Sequence, residues 1–331
     1  MPAEVTRLKM FDLFEGFYLA HVVRCLHDEG LLEKLTEWHS VEELEDIHGL
    51  DNKTLQRLLW YAAQRSDIIQ RENNRYRLAE PYQDYQSTGF LIDQYLGAYA
   101  PNAVNLSQVI RTPETAGQWV DRVKHSKAFE RLERPGFRVL PDVIRQLSIS
   151  NLLDLGCGTG TLLTALAKDD INVHAWGIEQ NQAMVAKANE RIASMNLARQ
   201  LTVIHGDCQN LEGCTSDTLR KQVQAICSAS LLNEFFIHGS ETLVDWLQKL
   251  RQLFPKRLLI VADYYGRLGY DCDDYPRHGL LHDFVQSISG QGVPPPNTKA
   301  WEQCYTKAGA RLIESVDGEG GVPWFIHLVA L

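Results

Sequence analysis

Several things are scarce in this 331-residue chain, and each scarcity removes a class of protein. Positive charge is in deficit: 33 Lys and Arg stand against 42 Asp and Glu, a formal net charge of −9. A surface of that sign repels phosphate backbones, so no nucleic-acid partner is expected. No apolar run reaches the roughly 20 residues needed to cross a bilayer, so no membrane partner is expected either. The start, Met1-Pro-Ala-Glu-Val, lacks both a basic segment and an apolar one of the kind that directs export, and a cytoplasmic location is the expectation. Cysteines stand alone at 25, 157, 208, 214, 227, 272 and 304, without C-x-x-C spacing, so neither a disulfide framework nor a zinc ribbon is suggested. There is no internal repeat, and only Pro294-Pro-Pro296 stands out as a stiff loop. What is present, 44% hydrophobic and 23% charged residues, is ordinary globular composition, long enough for two domains.

The most informative stretch is Asn151-Leu-Leu-Asp-Leu-Gly-Cys-Gly-Thr-Gly160, an apolar strand running into three glycines that expose backbone N–H groups to a ligand. Its spacing, Gly156-x-Gly158-x-Gly160 with Asp154 two positions ahead, differs from the dinucleotide G-x-G-x-x-G fingerprint and points away from NAD. A helix is predicted over 161–168 and a second strand over 173–178. Glu179 closes that strand, where a carboxylate can accept two hydrogen bonds from a ribose diol. A helix over 182–195 and a strand over 201–205 repeat the layout, and Asp207 stands at the third strand's end.

These residues resemble the class I S-adenosylmethionine-dependent methyltransferases, with their first-strand D-x-G-x-G-x-G, second-strand acid and third-strand Asp. The resemblance covers roughly residues 130–331 and implies S-adenosyl-L-methionine as cofactor and S-adenosyl-L-homocysteine as product. It implies that Asp154, Gly156, Cys157, Gly158 and Gly160 meet the methionine end, and that Glu179 takes the ribose hydroxyls. Gln180 would flank the adenine, Asp207 and the Cys208 amide would read its amino edge, and Ser228 or Ala229 would complete the wall. Further strands are predicted over 223–227 and 257–263, with a helix over 242–253 between them. Residues 310–316 and 324–331, joined by a glycine-rich turn, predict a closing hairpin, unlike the parallel continuation of a doubly wound dehydrogenase. The expected fold class is α/β: a Rossmann-like seven-stranded sheet with a terminal antiparallel hairpin, preceded by a mostly helical winged-helix domain.

The winged helix is read from the first 90 residues. Phe11 to Leu35 carries an apolar face broken at Gly30, Ser40-Val-Glu-Glu43 is a capping box, Asp51 caps a helix over 53–65, and Asn73-Asn74 turns a small hairpin. Ten Lys and Arg against sixteen Asp and Glu leave this unit at −6, the wrong sign for a DNA reader. It resembles instead the dimerisation domain of the small-molecule O-methyltransferases, which implies a homodimer. The expected organisation is therefore a dimerisation domain over 1–90, a helical linker and substrate lid over 91–140, and the methyltransferase domain over 141–331. Within the linker a long helix is predicted over 90–111, then an irregular basic stretch holding Arg122, Lys124, His125, Lys127, Arg131, Arg134 and Arg138, suited to an acidic acceptor.

The acceptor chemistry departs from the family. Where O-methyltransferases place a His-Asp pair after the fourth strand, this chain has Asn233-Glu234. An amide has no useful basicity, so the base is Glu234, or His238 a turn later, or the acceptor needs none. Leu280-Leu-His-Asp-Phe-Val285 with Gly290-Gln-Gly292 resembles the family's pocket floor, which makes His282 the leading pocket residue. In the aryl-pyruvate C-methyltransferases this histidine and one after the fourth strand hold a ferrous ion. Here Asn233 replaces the first ligand, so no metal is implied unless His238 or Glu234 substitutes for it beside His282. The expected activity is methyl transfer to a small-molecule acceptor, oxygen first. C- or N-methylation of a 2-oxo acid or amino-acid-like substrate is the alternative, and a non-methylating cofactor-binding protein a further one.

Overall fold

The computed structural model describes residues 8–131, 135–168, 170–272, 277–318 and 322–331. It divides into two compact units, one formed by residues up to 101 with 120–132, the other by 102–119 with 133–331.

In the first unit α1 (Met10–Asp28) and α2 (Leu31–Lys34) are separated at Gly30, whose φ of 72° no bulky residue adopts easily. They are followed by β1 (His39–Ser40), α3 (Val41–His48), α4 (Asn52–Arg65), β2 (Ile69–Glu72) and β3 (Arg75–Leu78), with sheet order β1-β3-β2. The local signals act as read. Ser40 Oγ accepts from Glu43 N while Glu43 Oε2 accepts from Ser40 N, and Asp51 accepts from Thr54 N. Asn73 and Asn74 take φ of 47° and 61°, which the two-residue hairpin turn requires. Leu26, Leu32, Leu35, Leu44, Leu59 and Leu78 form the fully buried core of this wing.

The long helix predicted over 90–111 is broken in the structure. α5 (Tyr85–Leu91) widens into a π-helical segment (Ile92–Ala98), and the chain continues as α6 (Ala100–Val104) and α7 (Leu106–Val109), the last two in the second unit beyond Pro101. The widening turns Asp93 inward. Its carboxylate, 2% exposed, accepts from His27 Nε2 at 3.0 Å and Arg131 Nε at 2.7 Å. Burial pushes the Asp93 carboxyl up, yet these two partners outweigh it and hold it below the usual range. Nor is the basic stretch irregular: α8 (Arg122–Arg131) is a helix, and Lys124 pairs with Asp28 at 3.0 Å. Lys124 and Arg131 are thus spent inside the first unit, so they are not cations held for an acidic acceptor. Arg134 and the side chain of Arg138 lie outside the described residues.

The second unit begins its regular layers at α9 (Pro135–Gln146), then β4 (Asn151–Leu155), α10 (Thr161–Ala167), β5 (His174–Glu179), α11 (Gln182–Ser194) and β6 (Leu201–His205). After α12 (Leu211–Cys214) and α13 (Asp217–Gln222) come β7 (Ala225–Ala229), α14 (Glu241–Leu253), β8 (Leu258–Tyr264), α15 (Arg277–Ile288), α16 (Thr298–Lys307), β9 (Arg311–Gly318) and β10 (Trp324–Ala330). The seven-stranded order is β6-β5-β4-β7-β8-β10-β9, parallel except for β10, which runs antiparallel to both its neighbours. Alternation along the strands sends Leu153, Leu155, Ile226 and Val261 into one core with α14 and α16. Leu152, Ala225, Cys227 and Ile260 enter the other core, with α9, α10 and α11.

Candidate active site

The loop between β4 and α10 is held in a shape that only glycine supplies cheaply. Gly156, Gly158 and Gly160 have φ of 68°, 56° and 72°, and the space beside Gly158 is open. Glu179, at the end of the neighbouring strand β5, fixes this loop. One carboxylate oxygen accepts from Gly158 N at 3.0 Å and the other from Asn181 N at 2.7 Å. Each oxygen keeps a further lone pair, so the carboxylate can brace the loop and still receive a diol.

Asp154 lies beneath the loop, 3% exposed. Burial pushes its carboxyl up to about 8, with the Glu179 charge adding to the effect. A buried acid beside a second acid is a place where a cationic ligand is stabilised. Cys157 and Cys208 are buried, and burial drives both thiols upward, Cys208 to about 12, so neither is a nucleophile. The Cys157 thiol packs where a side chain at Gly177 of β5 would stand. Asp207 is half-buried with Oδ1 accepting from Gln209 N, the Cys208 carbonyl receives Trp246 Nε1 at 2.8 Å, and Gln180 is exposed. Ser228 is fully buried and its hydroxyl has no hydrogen-bond partner among the described residues.

The residues expected to face the acceptor follow β7 and β8. A 3₁₀ turn, Leu232–Phe236, carries Asn233, 3% exposed, and the half-buried Glu234. The Asn233 N–H donates at 3.2 Å to Oδ2 of Asp263, the penultimate residue of β8. Gln291 joins the pair: Asn233 Nδ2 donates to Gln291 Oε1 at 3.0 Å, and Gln291 Nε2 donates to Glu234 Oε1 at 2.9 Å. His282 on α15 is 6% exposed, edge-on to the Tyr264 ring at 4.5 Å, with Gln286 Nε2 at 3.4 Å. Its neighbour Asp283 accepts from the Arg267 and Leu268 amides and so anchors the loop after β8. His238 is exposed beyond the 3₁₀ turn, whereas Asn233, Gln291 and His282 are buried. Among the described residues no group of three or more His, Cys, Asp and Glu is disposed to hold a metal.

Sequence reasoning missed Gln291 and Asp263 as members of this cluster. Asp263 carried the signal that marked Glu179, an acid closing an apolar strand, and Gln291 stood conspicuously between two glycines.

Comparison with known proteins defines the class. Residues 152–253 match a family described as a methyltransferase domain, a span running from β4 through α14 and including the glycine loop, Glu179 and Asp207. Three solved structures share the fold over nearly their whole length. The mitomycin 7-O-methyltransferase MmcR is 16% identical, covers 96% of each chain and has a TM-score of 0.71. PigF, solved with S-adenosylhomocysteine, is 14% identical, with 98% and 100% of the two chains covered and a TM-score of 0.74. An O-methyltransferase family protein from Burkholderia thailandensis is 15% identical, covers 98% of each chain and has a TM-score of 0.68. The match identifies residues 152–253 as a methyltransferase domain. The chain's likeness to the three structures is one of fold.

Proposed function

We propose that this protein transfers the methyl group of S-adenosylmethionine to a hydroxyl of a small-molecule acceptor, working as a cytoplasmic homodimer. The observation that carries the reading is the brace between Glu179 and Gly158 N at 3.0 Å, which shapes a glycine loop around open space within a methyltransferase domain. When bound, S-adenosylmethionine supplies an electrophilic methyl and leaves as S-adenosylhomocysteine. Asp154, Gly156, Cys157, Gly158 and Gly160 are proposed to hold its methionine end, Glu179 its ribose, and Gln180, Asp207, Cys208 and Ser228 its adenine side. Glu234 is proposed as the base that takes the acceptor's hydroxyl proton. It is a carboxylate on the turn after β7, adjoining buried Asn233, whereas His238 is exposed to solvent. His282 is proposed to face the acceptor. Oxygen as the acceptor atom is supported by the fold shared with MmcR, a mitomycin 7-O-methyltransferase.

The homodimer is supported by the exposed face of α1, where Phe11, Phe14, Phe17 and Tyr18 are 73%, 59%, 52% and 65% accessible, an apolar stripe that water disfavours. Seven free thiols suit a reducing compartment. The test is incubation with labelled S-adenosylmethionine and a panel of hydroxylated aromatics, amino acids and 2-oxo acids. S-adenosylhomocysteine formed with a hydroxylated acceptor supports the reading. Cofactor binding without turnover on any acceptor would replace it with a non-methylating role.

A further inference from the structure

We infer that Gln291 is the positioning residue for Glu234, set by a two-amide clamp that holds the carboxylate ionised and aimed. This rests on Glu234 being the base. The observation is a directed chain. Asn233 is fixed by its own N–H on Asp263 Oδ2, its Nδ2 donates to Gln291 Oε1, and Gln291 Nε2 is thereby turned to donate to Glu234 Oε1. An Nδ2 group can only donate, so as long as Asn233 keeps this orientation Gln291 must present its own NH₂ to the carboxylate. A donor aimed at a carboxylate favours the charged form, the form a base needs before it acts.

The loop carrying Gln291 is shaped for that reach. Gln291 is 7% exposed and its N–H is held by Gln286 O at 3.2 Å. On one side a Cβ at Gly290 would stand 2.9 Å from Gly117 N, and on the other a Cβ at Gly292 would overlap the backbone of Phe236 and Ile237. The Gly292 N–H meets the Asn233 carbonyl at 3.3 Å. The missing side chain at Gly292 thus lets this loop press onto the turn that carries Asn233 and Glu234, and the one at Gly290 lets it lie against Gly117. The clamp also has a second setting. If Glu234 gains a proton, both amides can reverse: Gln291 Oε1 accepts from the carboxylic acid and Gln291 Nε2 donates to Asn233 Oδ1, while Asn233 Nδ2 takes the place where Oδ1 had no partner among the described residues. The pair therefore follows the protonation of Glu234 rather than merely filling space. Other titratable groups on the surrounding elements are Asp263 on β8, His282 and Asp283 on α15, and the exposed His238.

The test is nuclear magnetic resonance on the intact protein, labelled with ¹⁵N at glutamine side chains and ¹³C at glutamate carboxyls, titrated from pH 4 to 9 and assigned with Gln291→Met and Glu234→Gln. In the wild type the Gln291 side-chain amide is expected to shift with the same midpoint as the Glu234 carboxyl, and in Gln291→Met that midpoint is expected to rise by about one pH unit. A Gln291 amide that stays constant through the Glu234 titration overturns the proposal, as does an unmoved Glu234 midpoint in Gln291→Met. Should Gln291→Met fail to fold, Gln291→Asn supplies the assignment and the wild-type correlation alone decides. Binding of S-adenosylhomocysteine is measured beside it by calorimetry. Its absence in the wild type would count against the methyltransferase reading and leave the clamp to be judged by the resonances.

Discussion

Asp154 and Glu179 are two acids at adjacent strand ends, and their roles separate by environment. Glu179 is tied to two backbone amides, while Asp154 is sealed beneath the loop with its carboxyl raised to about 8. A cationic ligand brought near lowers that value, so at pH 7 cofactor binding should release a proton, and affinity for S-adenosylmethionine should rise with pH until about 8. Calorimetry in two buffers of different ionisation enthalpy checks this. Equal heats, or a signal that survives Asp154→Asn, would be contrary. At Gly158 a φ of 56° and open space beside the backbone combine. Gly158→Arg should strain the turn and fill the space, weakening S-adenosylhomocysteine binding by on the order of 100-fold. The acid and the glycines were legible because strand, turn and helix lie within 30 contiguous residues. Gln291 was not, since it reaches Asn233 and Glu234 across nearly 60 positions of chain that only folding closes.

At the scale of elements, short-range signals carried well and long-range ones did not. The Ser40 capping box, the Asp51 cap and the Asn73-Asn74 turn depend on residues within a few positions, and all three form. The break of the helix predicted over 90–111 depends on partners far away. Asp93 is drawn to His27 and Arg131, and Asn102 is drawn to the second unit, where its Nδ2 donates to Ala116 O at 2.8 Å and Ile288 O at 3.0 Å. Removing one member of each group tests these accounts. Asp93→Ala leaves a half-buried guanidinium unpaired and should cost about 3 kcal/mol in denaturant unfolding. Asn102→Ala strands two buried carbonyls and should cost about 2 kcal/mol, with faster amide exchange across residues 106–116. Exchange that stays slow there would mean the segment is held by other contacts.

For the whole molecule, stability at low pH is set partly by His327, fully buried in the middle of β10 between Tyr305 OH at 3.0 Å and Tyr265 OH at 3.3 Å. Burial lowers its pKa from 6.5 to about 4, so the folded chain keeps it neutral where the unfolded chain protonates it. The unfolded state then binds more protons between these values, and stability present above pH 6.5 is lost as pH falls toward 4, by about 3 kcal/mol in all. Urea midpoints measured across that range should slope accordingly, and His327→Gln should flatten the slope even where it lowers the midpoint. The exposed α1 stripe makes the second prediction at this scale. Phe14→Glu with Phe17→Glu should turn a dimer into a monomer by sedimentation, and an unchanged mass would remove α1 from the interface.

The sequence by itself determined the parallel sheet, its closing hairpin and the glycine loop, because each is written in contiguous periodicity, turn residues and an acid at a strand end. Tertiary structure decided what sits around Glu234. It left His238 in solvent, buried His282 against Tyr264, and brought Gln291 back onto the turn after β7. The reason is physical: a hydrogen bond between side chains far apart in the chain is specified by the packing of the loops that carry them, and no local pattern records it.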